Sequence, residues 1–313
     1  MSWISAALLG YSLQGVASVL DKFLLGERRI ASPPLYAFGV ALMSLPFLAL
    51  LPFGVALFLP EAILLGALSG FLFLFALLAM YRAIKRSEVS RAAPLVGVST
   101  ILFLFLLSLL FSISSGSGIT ALDILALALL AGGGVLLASG GKGIRGPGFT
   151  RCVFVSGALF AASLIILRES YLVSNFMTGF LWSKFGMVIG GLMLFSVPSF
   201  RHAIASGSKR LTKPEKRSFG TAVFFFLNQF FGGLGAIFVA FALSLGPATF
   251  VQGLGGVQYG VVFVLATIFS LRFPGIFREH IHWYVIFRKV VALVLLGIGI
   301  FLVATSDNLG VFL

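Results

Sequence analysis

Residues 3–29 read WISAALLGYSLQGVASVLDKFLLGERR. The apolar run from Trp3 to Leu25 carries Lys22 near its end, is followed by Arg28 and Arg29, and has no basic residue before it. About 20 such residues cross the ~30 Å hydrocarbon core of a bilayer as a helix, so the run predicts a membrane span. Basic flanks stay in the cytoplasm during insertion, so the N-terminus of this span is expected to be translocated. The missing basic segment ahead of the run also argues against a cleavable signal.

The same alternation continues along the chain. Ten apolar segments lie at roughly 3–25, 34–53, 62–83, 90–112, 121–139, 151–168, 176–198, 219–243, 247–271 and 284–305. Of the 22 Lys and Arg residues, 20 fall in or beside connections 1/2, 3/4, 5/6, 7/8 and 9/10; the other two are Arg168 and Lys184. Connections 2/3, 4/5 and 8/9 carry none. The reading is an all-α integral membrane protein of ten transmembrane helices, multi-pass in the plasma (cytoplasmic) membrane, with both termini extracytoplasmic.

The chain also echoes itself. At a shift of 147 residues, Gly10, Leu20, Asp21 and Lys22 meet Gly157, Leu167, Arg168 and Glu169, and Phe38-Gly39 meets Phe185-Gly186. Seven of the 44 pairs between Gly10 and Phe53 are identical. After a 13-residue insertion the shift becomes 160, and Tyr81-x-Ala83 meets Phe241-x-Leu243. Each half then holds five spans, and an odd repeat must invert its second copy. Basic connections follow spans one and three of the first half, and spans two and four of the second. This predicts two inverted five-helix repeats, the architecture of alternating access. The expected units are 1–140, a Gly-rich cytoplasmic linker at 141–150, and 151–313.

Composition narrows the classes. The chain is 59% hydrophobic and 10% charged, with mean hydropathy +1.12, which excludes an ordinary soluble domain. The net charge of +13 is read as topological and as facing anionic headgroups, not as a nucleic-acid surface. Residues 200–218 read as a basic loop, with Ser218 a candidate cap for the next span. Segment 272–289 reads as interfacial, with Trp283 and Tyr284 at headgroup level. One cysteine, Cys152, excludes an internal disulfide and a multi-Cys metal site. Gly140–Gly148 lacks the Gly-Lys-Ser/Thr ending of a phosphate loop. No cofactor and no metal are expected, although His280-x-His282 has the spacing of half a metal site.

The junction Tyr81-Arg82-Ala83 through Ala92-Ala93-Pro94-Leu95, its echo Phe241-Ala242-Leu243 through Gly246-Pro247-Ala248, and Gly132-x-Gly134 with Gly297-x-Gly299 are similar to those of EamA-like transporters of the drug/metabolite transporter superfamily. The resemblance covers nearly the whole chain. It implies ten helices in two five-helix repeats and a role in transmembrane transport. Its motifs are structural, so it implies no substrate. Many members are described with cytoplasmic termini, the reverse of the orientation the charges here predict.

Polar groups inside a bilayer are costly and face a cavity or another helix. Gln14, Lys184, Asn228, Gln229 and Gln258 sit near mid-span and are candidate substrate-binding residues, with Tyr11 and Trp182 beside them. Tyr11, Gln14, Ser18 and Asp21 recur at one helical face. Lys184 reads as a partner for a carboxylate or phosphate; a structural pair or a side chain reaching to the interface are the alternatives. Asp21-Lys22 and Arg168-Glu169 read as helix-end pairs or as two alternating gates. Gly232-Gly233-x-Gly235 and Gly253-x-Gly255-Gly256 permit close packing or local unwinding. No Asp or Glu lies at mid-membrane, which disfavours proton-driven export of cations.

The expected function is secondary transport of small organic metabolites, amino acids or other anionic or zwitterionic solutes. A flippase of lipid-linked substrates is the alternative, and a membrane enzyme is disfavoured. Expected partners are a small-molecule substrate and the bilayer; a homodimer is compatible with this reading. Topology has a direct test. A Gly310→Cys variant should react with a membrane-impermeant maleimide in intact cells, and protection until lysis would reverse the predicted orientation.

Overall fold

Proline and glycine set most of the breaks between helices. The computed structural model describes residues 2–26, 32–50, 59–86, 89–115, 121–138, 148–211 and 217–272, with scattered positions between 287 and 302. Among them there is helix and no strand. The elements are α1 Trp3–Gly26, α2 Pro33–Leu42, a 3-10 turn Leu45–Leu50, α3 Pro60–Arg86, α4 Val89–Ser115, α5 Ala121–Ala138, α6 Phe149–Val173, α7 Phe176–Ser196, α8 Pro198–Leu211, α9 Arg217–Leu245, α10 Ala248–Gly253 and α11 Gly256–Arg272. The described positions between 287 and 302 are also helical.

Pro33 and Pro34 open α2, where a missing N–H costs nothing. Pro46 follows its end, and the residue before a proline resists the α conformation. Asn175 caps α7, its side chain accepting from the Thr178 N–H at 2.8 Å. Extended Val197 precedes Pro198 and separates α7 from α8. Gly148, at φ +76°, takes the left-handed conformation that precedes α6.

Five of these helices are long and apolar enough to cross a membrane: Trp3–Asp21, Pro60–Arg86, Phe149–Val173, Phe176–Ser196 and Val223–Leu245. Shorter apolar runs occupy Pro33–Ala49, Ala92–Leu104, Ile124–Leu136 and Val290–Gly299. The outward surface is apolar too: Leu64 is 67% exposed, Leu192 62% and Phe230 62%. A surface of this kind belongs in lipid, and the chain is a membrane protein.

Several boundaries differ from the sequence reading. Segment 34–53 breaks at Met43-Ser44 into α2 and the 3-10 turn, and segment 247–271 breaks at Leu254-Gly255 into α10 and α11. The basic stretch expected as a loop holds α8, because Phe200, Ala203 and Ile204 share a helical face and Ile204 is buried. The Ser32 hydroxyl donates to the Ala203 carbonyl at 3.2 Å and ties α8 to α2. Ser218 lies inside α9 rather than before it. Pro94 lies inside α4, which starts at Val89, one residue from the start read from the sequence. Cys152 is half-buried and takes a hydrogen bond from Arg86 Nη1 at 2.8 Å. Residues 139–147 and 273–286, with the linker core and the His280-x-His282 pair, lie outside the described residues.

Packing follows two seams. Helix α3 runs antiparallel to α6, locked by serines: Ser69 and Ser163 each donate to the other's carbonyl, at 2.9 and 3.0 Å, and Ser156 donates to the Ala76 carbonyl at 2.9 Å. Helix α1 runs antiparallel to α9, with Gly10 against Gly235 and Val239, and Ala17 against Gly232. Helix α6 also packs on α4, and α1 on α11. Helix α7 lies parallel to α3 with backbones in contact: a Cβ on Gly70 would fall on the Ser183 backbone, and one on Gly186 on the Ala67 backbone. Forcing extra volume into such a contact costs about 1–3 kcal/mol. Gly186→Ala should therefore lower the melting temperature of the detergent-solubilised protein, whereas Gly132→Ala, with nothing within 4 Å, should leave it unchanged.

Candidate functional site

The polar face of α1 turns toward α9, α10 and α11. The Tyr11 hydroxyl donates to Gln252 Oε1 at 3.1 Å. The Gln258 amide donates to Ser18 Oγ at 2.8 Å, and Ser18 donates in turn to the Gln14 carbonyl at 2.8 Å. Tyr11 and Gln258 are thus joined to one seam. Gln14 is half-buried beside Gly235, and among the described residues its amide makes no side-chain hydrogen bond. The α10–α11 break keeps its amides paired, Gly255 N–H to the Gln252 carbonyl at 2.9 Å and Val257 N–H to the Leu254 carbonyl at 3.0 Å. Gly253 there meets Leu130 and Gly255 meets Tyr11, so close packing and a local break coincide.

At the far end of α1, Asp21 and Asn228 come together with a residue the sequence reading missed. The Tyr36 hydroxyl donates to Asp21 Oδ1. Asn228 Nδ2 donates to the same oxygen at 2.6 Å and to the Tyr36 hydroxyl at 2.7 Å. This joins α1, α2 and α9. Tyr36 stands edge-on to Tyr81 of α3, with ring centroids 4.6 Å apart. Asn228 Oδ1 is buried and has no partner among the described residues. The side chain of Lys22 lies outside the described residues. Gln229 is half-buried with no side-chain hydrogen bond among the described residues.

Lys184 is placed differently. Its Nζ lies 4.8 Å from the ring centroid of Phe180 and 5.6 Å from that of Phe47. Phe180 stacks on Phe176 at 5.5 Å, and Phe241 meets Phe176 edge-on at 5.5 Å. The ammonium has three donors, yet among the described residues no carboxylate pairs with it. Phe47 in turn borders Gly233 of α9, 3.9 Å from where a Cβ would stand. Phe47 thus stands between Lys184 and Gly233 of α9, and Gln14 lies beside Gly235 of the same helix. Trp182 does not join them: it packs on Gly66 of α3 and edge-on to Phe185 at 5.4 Å, with its Nε1 buried and without a partner among the described residues.

Arg168 is 8% exposed and caps the end of α9, Nη1 donating to the Leu243 carbonyl at 2.7 Å and to the Gly246 carbonyl at 2.6 Å. A cation there complements the orphan carbonyls and the dipole of a helix C-terminus. Glu169 is half-buried next to it. Among the described residues no group of three or more His, Cys, Asp or Glu is assembled.

The missed residues had weak signals. Tyr36 and Phe47 look like lipid-facing aromatics in an apolar run, and only the helix break between them turns both inward. No known protein-family profile matches the chain, and no curated protein matches its sequence. The Arg168 cap yields a stability test. Hydrogen bonds from a charged donor contribute about 1.5–3 kcal/mol each, so Arg168→Met should lower the melting temperature by several degrees. Arg168→Lys should recover only part of it, since a single ammonium replaces the forked guanidinium. An unchanged melting temperature in Arg168→Met would remove the capping role.

Proposed function

We propose that this chain is a secondary transporter of small anionic or zwitterionic organic metabolites. In this reading it is an EamA-like member of the drug/metabolite transporter superfamily, built of ten spans in two inverted five-helix repeats. It sits in the plasma membrane with both termini extracytoplasmic and works by alternating access. The reciprocal packing supports the repeat. The first helix of each half, α1 or α6, lies antiparallel to the third span of the other half and beside its fourth. A two-fold axis in the membrane plane generates that exchange.

The observation that carries the transport reading is Lys184. A lysine deep in a membrane span costs about 2.5–3.5 kcal/mol on insertion scales. Its ammonium, held between rings with no carboxylate partner among the described residues, is suited to an anion that comes and goes. Gln14 and Gln229 supply neutral hydrogen bonds from α1 and α9. The Asp21–Tyr36–Asn228 cluster and the Arg168 cap then close opposite ends of this pathway.

The test is counterflow in proteoliposomes loaded with a mixed pool of amino acids, organic acids, sugar phosphates and nucleobases, read by mass spectrometry. An anionic or zwitterionic class should accumulate in the wild type. Loss of one charged hydrogen bond corresponds to about a ten- to hundredfold loss of apparent affinity, and Lys184→Gln should show it at nearly unchanged folded yield. Accumulation of no soluble compound would remove this reading in favour of lipid-linked substrates.

A further inference from the structure

The surroundings of Lys184 narrow what its site can hold. Among the described side chains the carboxylates are Asp21, held by Tyr36 and Asn228, Glu61 in the first turn of α3 and Glu169 near the end of α6, and none of them pairs with Lys184. A substrate ammonium beside Lys184 would therefore meet the lysine's like charge and, among the described residues, no carboxylate, which is unfavourable in a medium of low dielectric. Buried Arg168 is committed to the Leu243 and Gly246 carbonyls. Among the described residues Lys184 is the one cation at these rings, which matches one negative charge and leaves a dianion half neutralised. The remaining surface beside the ammonium is aromatic, Phe47 and Phe180 at its flanks and Phe176 and Phe241 behind them. Ring edges and faces of this kind accept an apolar or aromatic body.

We infer that the Lys184 site binds monovalent carboxylates that carry an apolar, ring-bearing body and no ammonium group. The carboxylate takes the free N–H donors of Lys184, and the body lies along Phe47 and Phe180. The inference rests on the transport reading for its physiological use, but binding alone tests it.

Three probes differ by one group each: 3-phenylpropionate, phenylalanine, which adds the ammonium, and 3-phenylpropanol, which lacks the charge. Equilibrium binding to the full chain in lipid nanodiscs is measured beside exchange in proteoliposomes. The expected result is that 3-phenylpropionate binds and exchanges, with the other two weaker by about tenfold or more, the effect of one charge-assisted bond. Lys184→Gln should abolish that preference. Phe47→Leu keeps the charge and should reduce the advantage of 3-phenylpropionate over butyrate, so the inference does not depend on how well a lysine variant folds. Phenylalanine binding as tightly as 3-phenylpropionate would overturn the inference and leave transport standing. Binding of 3-phenylpropionate without exchange of any compound would support the site and remove the transporter. Exchange of other solutes with no binding of 3-phenylpropionate would overturn the inference alone.

Discussion

In a bilayer the apolar face of a helix gains nothing by leaving lipid for another helix, so association depends on how closely backbones approach. Here that constraint is met by glycine and serine. Helix α3 is held between α6 and α7 because Gly66, Gly70 and Gly186 remove the side chains that would keep the axes apart, and because Ser69 and Ser163 donate across the gap. Helix α1 is held on α9 in the same way, Gly10 against Gly235. The polar groups at depth follow from these seams. Ser18 and Gln258 reach each other only because Gly15 lets α1 settle on α11.

The two seams differ in character. Along α3–α6 the bonds run from serine hydroxyls to backbone carbonyls, short links that hold the register. Along α1 the bonds run between long side chains, Tyr11 to Gln252 and Gln258 to Ser18. Bonds of the second kind can be exchanged for bonds to water without breaking a helix, whereas serine-to-backbone locks resist sliding. The chemistry thus divides the molecule into a firmer half of the packing around α3 and a more adjustable one around α1.

The sequence made the helical membrane class legible, because runs of about 20 apolar residues and one-sided Lys and Arg are properties of composition and order alone. It also located Asp21, Asn228 and Lys184 as groups that require a partner. It did not show which partner. Asp21-Lys22 reads in sequence as a helix-end pair, but the Asp21 oxygen takes donors from Tyr36 and Asn228. That choice depends on the break after α2, set by Met43-Ser44 and Pro46, which no periodicity announces. Trp182 shows the same limit. Two residues along a helix turn a side chain through about 200°, so nearness to Lys184 in sequence places it on the opposite face, against α3.

Positions 21 and 168 align when the sequence is shifted by 147 residues, and they carry opposite charges with different partners. Asp21 receives side-chain donors from two helices, so a rotamer change at Tyr36 or Asn228 frees it without altering any main chain. Arg168 donates to main-chain carbonyls at the end of α9, and freeing it leaves a helix terminus uncapped as well as a buried cation without acceptors. Unpaired buried charge is among the costliest defects in a folded protein. The two positions are therefore not interchangeable. Breaking the Asp21 contacts strands a buried charge but leaves the main-chain bonds in place, whereas breaking the Arg168 contacts uncaps α9 as well.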